Sequence, residues 1–309
     1  MGADECDLHA PRVAASLPRP AALDRPHRPP YAAARVTALR NLGLALFSTW
    51  AWVGGFSWML VGATGTILLR VVGVPYQRVH GWITAPLFVH VVTVFAAARV
   101  KIHYHPDFDP QRRSVFTQNH INLLDGHLAS AAIPHAFSGL MNKWQFNIPI
   151  YGWLMRLSKG IGVDKSRRDK LVEQLSAAAR ERKRIGMSIL TFPEGHRTLD
   201  GKVRGFRRGV FIMARNAEMP VVPIAVRGFF EVNRKGSLVI HPLRRVDVFV
   251  GPQHDTAGLS DEEIGALANH LHTLTAHAVE HGEWPASIDD PLAGTASLRH
   301  STLARRIGA

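Results

Sequence analysis

A chain of 309 residues, 46% hydrophobic and without internal repeats, is long enough to bury one large core or two modest ones, and one catalytic domain is enough to account for it. Its only cysteine, Cys6, excludes an intrachain disulfide and suggests no redox chemistry. The 37 Lys and Arg against 24 Asp and Glu leave a formal charge of +13, which favours an anionic membrane surface or phosphorylated substrates; without a zinc spacing, a helix-turn-helix pattern or a basic tract with interleaved aromatics, no nucleic acid is expected as a partner.

In chain order, residues 1–40 are rich in Pro, Ala and Arg and predict a disordered basic arm. The arm lacks the charged-then-apolar plan and small-residue cleavage site of a secretory signal. Residues 41–69 hold no Asp, Glu, Lys or Arg and are bracketed by Arg40 and Arg70. That run exceeds the roughly 20 apolar residues that span a bilayer. A second uncharged run, 79–98, lies between Arg78 and Arg99 and is interrupted by Pro86 and His90, so it spans, re-enters or lies in the interface. Residues 41–100 therefore read as a membrane-associated helical segment, with Trp50, Trp52, Trp58 and Trp82 as interfacial anchors. The competing reading makes both runs buried core helices, because Gly54, Gly55, Gly62 and Gly65 dilute the apolar signal.

Residues 101–285 alternate apolar runs with helical patterns, the habit of an α/β domain. Strands are expected at 114–117, 188–192, 221–226, 238–240 and 246–250. Leu171, Leu175, Ala178 and Arg182 share one face of a helix over 169–185, and Ser260 with Glu263 forms a capping-box pattern before Ile264, Leu267, Leu271 and Leu274. His277 and His281 in that last helix have metal-ligand spacing without an accompanying Glu, and no metal is assigned. Residues 286–309 read as a poorly ordered tail.

The chemistry concentrates in two blocks. Asn119-His120 follows one expected strand and is followed in turn by Asp125. An imidazole is the side chain best suited to take a proton from an attacking alcohol near neutral pH, which makes His120 the candidate base. A turn between strand and helix can bring Asp125 back to one ring nitrogen, selecting the tautomer and stabilising the imidazolium, while the other nitrogen faces substrate. The second block, Phe192-Pro193-Glu194-Gly195, follows another strand, which puts both blocks at strand ends, where α/β folds gather their ligand sites. Glu194 and Gly195 can shape an acceptor site beside Arg197, whose forked donors suit a phosphate; alternatively, Glu194 caps the helix that follows. Lys165, Arg207 and Arg208 are further phosphate candidates. Gly160-Ile161-Gly162 is too short for a dinucleotide fingerprint, and neither a Walker loop nor a G-x-S-x-G elbow occurs.

These blocks, in this order, resemble the glycerolipid acyltransferase family, whose best-known members are the lysophosphatidate acyltransferases. Asn119-His120-x-x-x-x-Asp125 is similar to the first family block and Gly162-Val163-Asp164-Lys165 to the second. Phe192 to Thr198 matches the third block, Val222-Pro223-Ile224 the fourth, and Gly205 to Val210 the basic segment between them. His196 stands where Thr is usual and Lys165 where Arg is commonest. The resemblance implies a mixed sheet flanked by helices, with His120 as general base and Asp125 as its partner. It also implies acyl transfer from an acyl-CoA or acyl carrier protein to a lysophospholipid hydroxyl, lysophosphatidate first, without a cofactor. Two amino-terminal helices would attach the enzyme to the cell membrane with the catalytic domain on its cytoplasmic face. Another lipid acceptor, such as a lyso-aminolipid or glycolipid, and a non-catalytic lipid-binding protein of the same fold are the alternatives.

Overall fold

The computed structural model describes residues 30–164 and 168–285. Residues up to Asn41 belong to one unit, described from the first turns of a long helix, and the chain from Leu42 onward forms another. That helix, α1, runs Pro30–Val71, so residues 30–40 are helical where the sequence reads a disordered arm. Pro30 is tolerated in a first turn, and the alanines after it favour helix. The rest of the arm, residues 1–29, and the tail 286–309 lie outside the described residues.

From Leu42 onward, α1 pairs with a second helical stretch: α2 (Tyr76–Val79), a π-helical turn (His80–Thr84), α3 (Ala85–His90) and a second π-helical turn (Val91–Phe95). Pro86 has no N–H and crowds the preceding turn, and the wider π turn just before α3 accommodates that loss. The glycines that weaken the apolar count have a packing role here. A Cβ on Gly54 would lie 2.6 Å from the Phe95 ring, and one on Gly62 would overlap the Leu87 side chain. The hairpin buries Ala51, Met59, Ala63, Leu87, Phe88 and Val92 in the core. Its other side leaves Leu46, Val53, Leu60, Val61, Leu68, Trp82 and Val94 exposed. By length and composition alone, residues 34–71 suffice to cross a membrane.

The sheet has seven strands: β1 (Arg99–Tyr104), β2 (Val115–Gln118), β3 (Phe137–Asn142), β4 (Ile161–Val163), β5 (Ser188–Thr191), β6 (Val221–Arg227) and β7 (Arg245–Val250). Their spatial order is β1-β7-β6-β2-β5-β3-β4, parallel throughout except for the antiparallel β6–β7 pair. This is a mixed sheet flanked by helices. Successive strand residues point to opposite faces, and the two cores divide accordingly. Phe116, Leu190 and Val222 face the α1 hairpin and Leu128 of α4 (Asp125–Ala132). Val115, Ile189 and Val221 face Leu175 of α6 (Arg168–Arg184), Phe211 of α7 (Arg208–Asn216) and Leu267 of α8 (Asp261–His281). A short α5 (Tyr151–Leu157) follows β3.

One expected strand does not form. Residues 238–240 leave the sheet because side chains take their backbone bonds: Trp52 donates to the Leu238 carbonyl at 2.7 Å, Ile240 N–H to Ser48 Oγ at 2.9 Å, and Asn233 to the Val239 carbonyl at 3.0 Å. At the other end of the domain, α8 starts at its capping box, with Glu263 N–H donating to Ser260 Oγ at 3.2 Å and Ser260 N–H to the Glu263 carboxylate at 2.6 Å.

Candidate active site

β2 ends at Gln118, and the next two residues are fixed by their neighbours. Asn119 is buried and bridges to β6 through both ends of its amide, donating to the Val226 carbonyl at 3.0 Å and accepting from Val226 N–H at 2.8 Å. The main chain of His120 is held by the turn that follows β5. Its N–H donates to Glu194 Oε1 at 2.7 Å, and its carbonyl accepts from Thr198 N–H at 2.8 Å. The imidazole stacks on Phe192, with ring centroids 4.2 Å apart and planes 18° from parallel.

Asp125, at the start of α4, returns its carboxylate to the turn it closes. Its Oδ2 lies 2.7 Å from His120 Nδ1 and also accepts from Ile121 N–H at 2.6 Å and Asn122 N–H at 3.2 Å. The side chain is almost fully buried, at 1% exposure, and all three of these contacts fall on Oδ2. The pairing selects the Nδ1–H tautomer and leaves Nε2 with the lone pair. Asn122 secures the turn from the other side, donating to the Phe229 carbonyl at 3.0 Å and accepting from Leu124 N–H at 2.8 Å.

Glu194 is also buried, and both of its oxygens are engaged. Oε1 accepts from His120 N–H and Oε2 from Arg204 N–H at 3.0 Å. Burial pushes its carboxyl above the ordinary glutamate range, and the two amides pull it back. Glu194 therefore sits behind His120 as a brace, and it neither caps a helix nor lines the cavity in front of the ring. Gly195 has a φ of +74°, and a Cβ there would lie 2.7 Å from Arg207 Cζ, so glycine is what lets the guanidinium lie against the turn.

A cavity of about 540 Å³ opens in front of His120, within the size range of small-molecule sites. His120, Asp125, Gly195, Arg197 and Arg207 line it together. Arg208 does not: its guanidinium packs over Gly265 of α8. Arg207 precedes α7 in an extended conformation and turns to Gly195, whereas Arg208 opens the helix and turns to α8. Lys165 lies outside the described residues. The sequence reading missed two contributors. Lys235 reaches the cavity from the loop after β6 and donates to the Arg197 carbonyl at 3.4 Å, and no local motif marks it. Phe192, the platform under His120, stands in a quoted block, but only the stacking reveals its role. Among the described residues no group of three His, Cys, Asp or Glu side chains is arranged to hold a metal ion.

Residues 99–227 match the Acyltransferase family model. Over 251 residues the chain is 22% identical to the 1-acyl-sn-glycerol-3-phosphate acyltransferase of Saccharomyces cerevisiae, covering 78% of this chain and 79% of that protein. Over 183 residues it is 25% identical to the protein of the same name from Limnanthes douglasii, covering 59% of this chain and 64% of that one. The fold is similar to that of the 1-acyl-sn-glycerophosphate acyltransferase PlsC from Thermotoga maritima, with a TM-score of 0.68 at 19% identity over 80% of this chain and 99% of that one. Sequence blocks, matched region and fold agree, and the chain is an O-acyltransferase resembling the 1-acylglycerol-3-phosphate acyltransferases.

Proposed function

We propose that the protein transfers a fatty acyl group from an acyl thioester, acyl-CoA or acyl carrier protein, to the free hydroxyl of lysophosphatidate. His120 Nε2 takes the hydroxyl proton as the oxygen attacks the thioester carbonyl carbon. Collapse of the tetrahedral intermediate breaks the C–S bond, and the proton passes from the imidazolium to the leaving thiolate, so a free thiol and an ester result. Asp125 stabilises the imidazolium in between. The acceptor is itself the nucleophile, so the reaction calls on no enzyme nucleophile, metal or cofactor. Arg197, Arg207 and Lys235 hold the acceptor phosphate, Arg through its planar fork. The observation that carries this reading is the half-buried His120 imidazole 2.7 Å from the buried Asp125 carboxylate, opening on a cavity that the two arginines and the lysine also line.

The bare side of the α1 hairpin supports attachment to the membrane that holds the lipid acceptor, with the catalytic domain on the cytoplasmic face, where the thioester donors are made. Such an anchor resists release by salt, whereas a purely electrostatic association is screened. Quantitative release by high salt or carbonate without detergent would contradict it.

The test of the acceptor is the ratio of catalytic efficiencies for lysophosphatidate and its dephosphorylated counterpart, in wild type and Arg197→Ala. Charge-assisted hydrogen bonds contribute about 1.5–3 kcal/mol, so the ratio should fall roughly ten- to a hundred-fold in the variant. An unchanged ratio would remove Arg197 from phosphate recognition.

A further inference from the structure

Two segments far apart in the sequence meet the same residue of α1. The carbonyl of Leu238, in the loop after β6, accepts from the Trp52 indole at 2.7 Å, and Trp52, Val53 and Phe56 share a groove with Ile150, just before α5. Each segment turns large apolar side chains outward. Leu238 is 74% exposed, and on the other side Trp144 is 63% and Trp153 48% exposed. Trp144 also lines the cavity that His120 opens on, as does the exposed Leu123, so the two stand at its entrance. Residues two apart on a helix point about 200° from one another. Tyr151 and Met155 of α5 face the cavity, which turns Trp153 away from it. Lys143, Arg156, Arg234 and Lys235 are interleaved with these side chains and exposed or, for Lys143, 76% exposed while paired with Asp164 at 3.7 Å.

Indoles among lysines and arginines suit the boundary of a bilayer, where the ring is shielded from water and the cations meet phosphate headgroups. Both segments adjoin the bare side of the α1 hairpin at Trp52, so a bilayer that covers Val53 and Leu60 reaches them as well. A protein seated on this rim would close the entrance, whereas a bilayer supplies what enters it. We propose that Trp144 and Trp153 on one lip and Leu238 on the other form a second membrane contact, separate from the hairpin, which seats the cavity entrance on the phospholipid surface. The proposal rests on the membrane-attachment reading above and adds to it which part of the catalytic domain touches lipid.

The experiment uses the full chain with Cys6→Ser, which removes its only cysteine. Single cysteines are placed by Trp153→Cys, by Leu238→Cys and, as a control, by Glu262→Cys, exposed on α8 across the sheet. Each is labelled with a fluorophore, and the protein is bound to vesicles of equal phosphatidylcholine and phosphatidylglycerol, with or without nitroxide-labelled lipid. The nitroxide should quench the labels at 153 and 238 and leave the one at 262 at its background level. In unlabelled protein, Trp153→Asp and Leu238→Asp should each raise the KM for vesicle-borne lysophosphatidate about three- to ten-fold at unchanged kcat, the worth of about half a large apolar side chain removed from water. The KM for a short-chain lysophosphatidate dissolved as monomers should not move. Equal changes for both acceptors would mean that the substitutions disturb the fold or the cavity, and would overturn the proposal. So would labels at 153 and 238 quenched no more than at 262 while the protein still sediments with the vesicles, an outcome that leaves the hairpin anchor standing. Labels shielded from aqueous iodide but untouched by the lipid nitroxide would assign the rim to a second copy or another protein, and would also overturn it. Protein that does not sediment with vesicles defeats the anchor and this contact together. If no thioester is turned over, the acyl-transfer reading fails and the quenching alone decides the proposal.

Discussion

Glu194→Gln separates two roles that a carboxylate beside an active site can play. The substitution keeps the shape of the side chain but exchanges one acceptor oxygen for an NH₂ donor. In the native site both oxygens accept backbone amides, His120 N–H at 2.7 Å and Arg204 N–H at 3.0 Å. Glutamine can satisfy one of these and presents a donor to the other. A hydrogen bond to an ionised group contributes about 1.5–3 kcal/mol. Lost from the main chain that carries the base, that energy loosens the alignment of His120 and should lower kcat by roughly ten- to a hundred-fold. Arg197 and Arg207, which line the cavity, are untouched, so the KM for lysophosphatidate should stay within about two-fold. The assay is thiol release at varied acceptor with saturating acyl-CoA, accompanied by the thermal midpoint of the variant to confirm that it is folded. A strong rise in acceptor KM with kcat intact would refute the reasoning, because it would mean that the carboxylate touches the acceptor rather than bracing the loop behind His120.

His120→Ala should lose about 10²- to 10⁴-fold in turnover while acceptor binding persists; retention of more than roughly a tenth of wild-type turnover would rule it out as the base. Arg207→Ala should raise the acceptor KM, whereas Arg208→Ala, which alters a side chain packed over Gly265, should leave it unchanged; equal effects on KM would contradict the division between the two. Burial pushes the imidazoles of His127 and His135 down to about 4, against about 6.5 in an unfolded chain. The unfolded state therefore binds protons that the folded state refuses, so stability is full above about pH 6.5 and falls as the pH drops toward 4. Urea unfolding of His127→Phe should show a shallower decline across that window, smaller by up to about 3 kcal/mol, and parallel curves for variant and wild type would show that His127 is not buried neutral.

Much of this protein was determined locally. Val115-Phe116 and Ile189-Leu190 are apolar on both faces, as central parallel strands must be, and Ser260 with Glu263 starts α8 by bonds that span three residues. The spacing of His120 and Asp125 let a single turn join them, and the order of the blocks carried the family resemblance. What the sequence could not show are interactions whose partners lie far along the chain. β1, β3 and β4 are short or carry charged, polar and glycine residues, and they are strands only because β7, β5 and β3 respectively offer them a ladder. Residues 238–240 look like a strand and are not one, because Ser48 and Trp52 of α1 take their backbone groups. Glu194 reads equally well as a helix cap or an acceptor ligand until the fold brings the amides of His120 and Arg204 to its two oxygens. The pair Arg207-Arg208 likewise reads as one basic patch until the start of α7 turns one side chain to Gly195 and the other to Gly265. Periodicity and spacing report on neighbours within a turn or two of the chain, whereas the direction of a charge and the company of a buried polar group are set by which distant backbone packs against it.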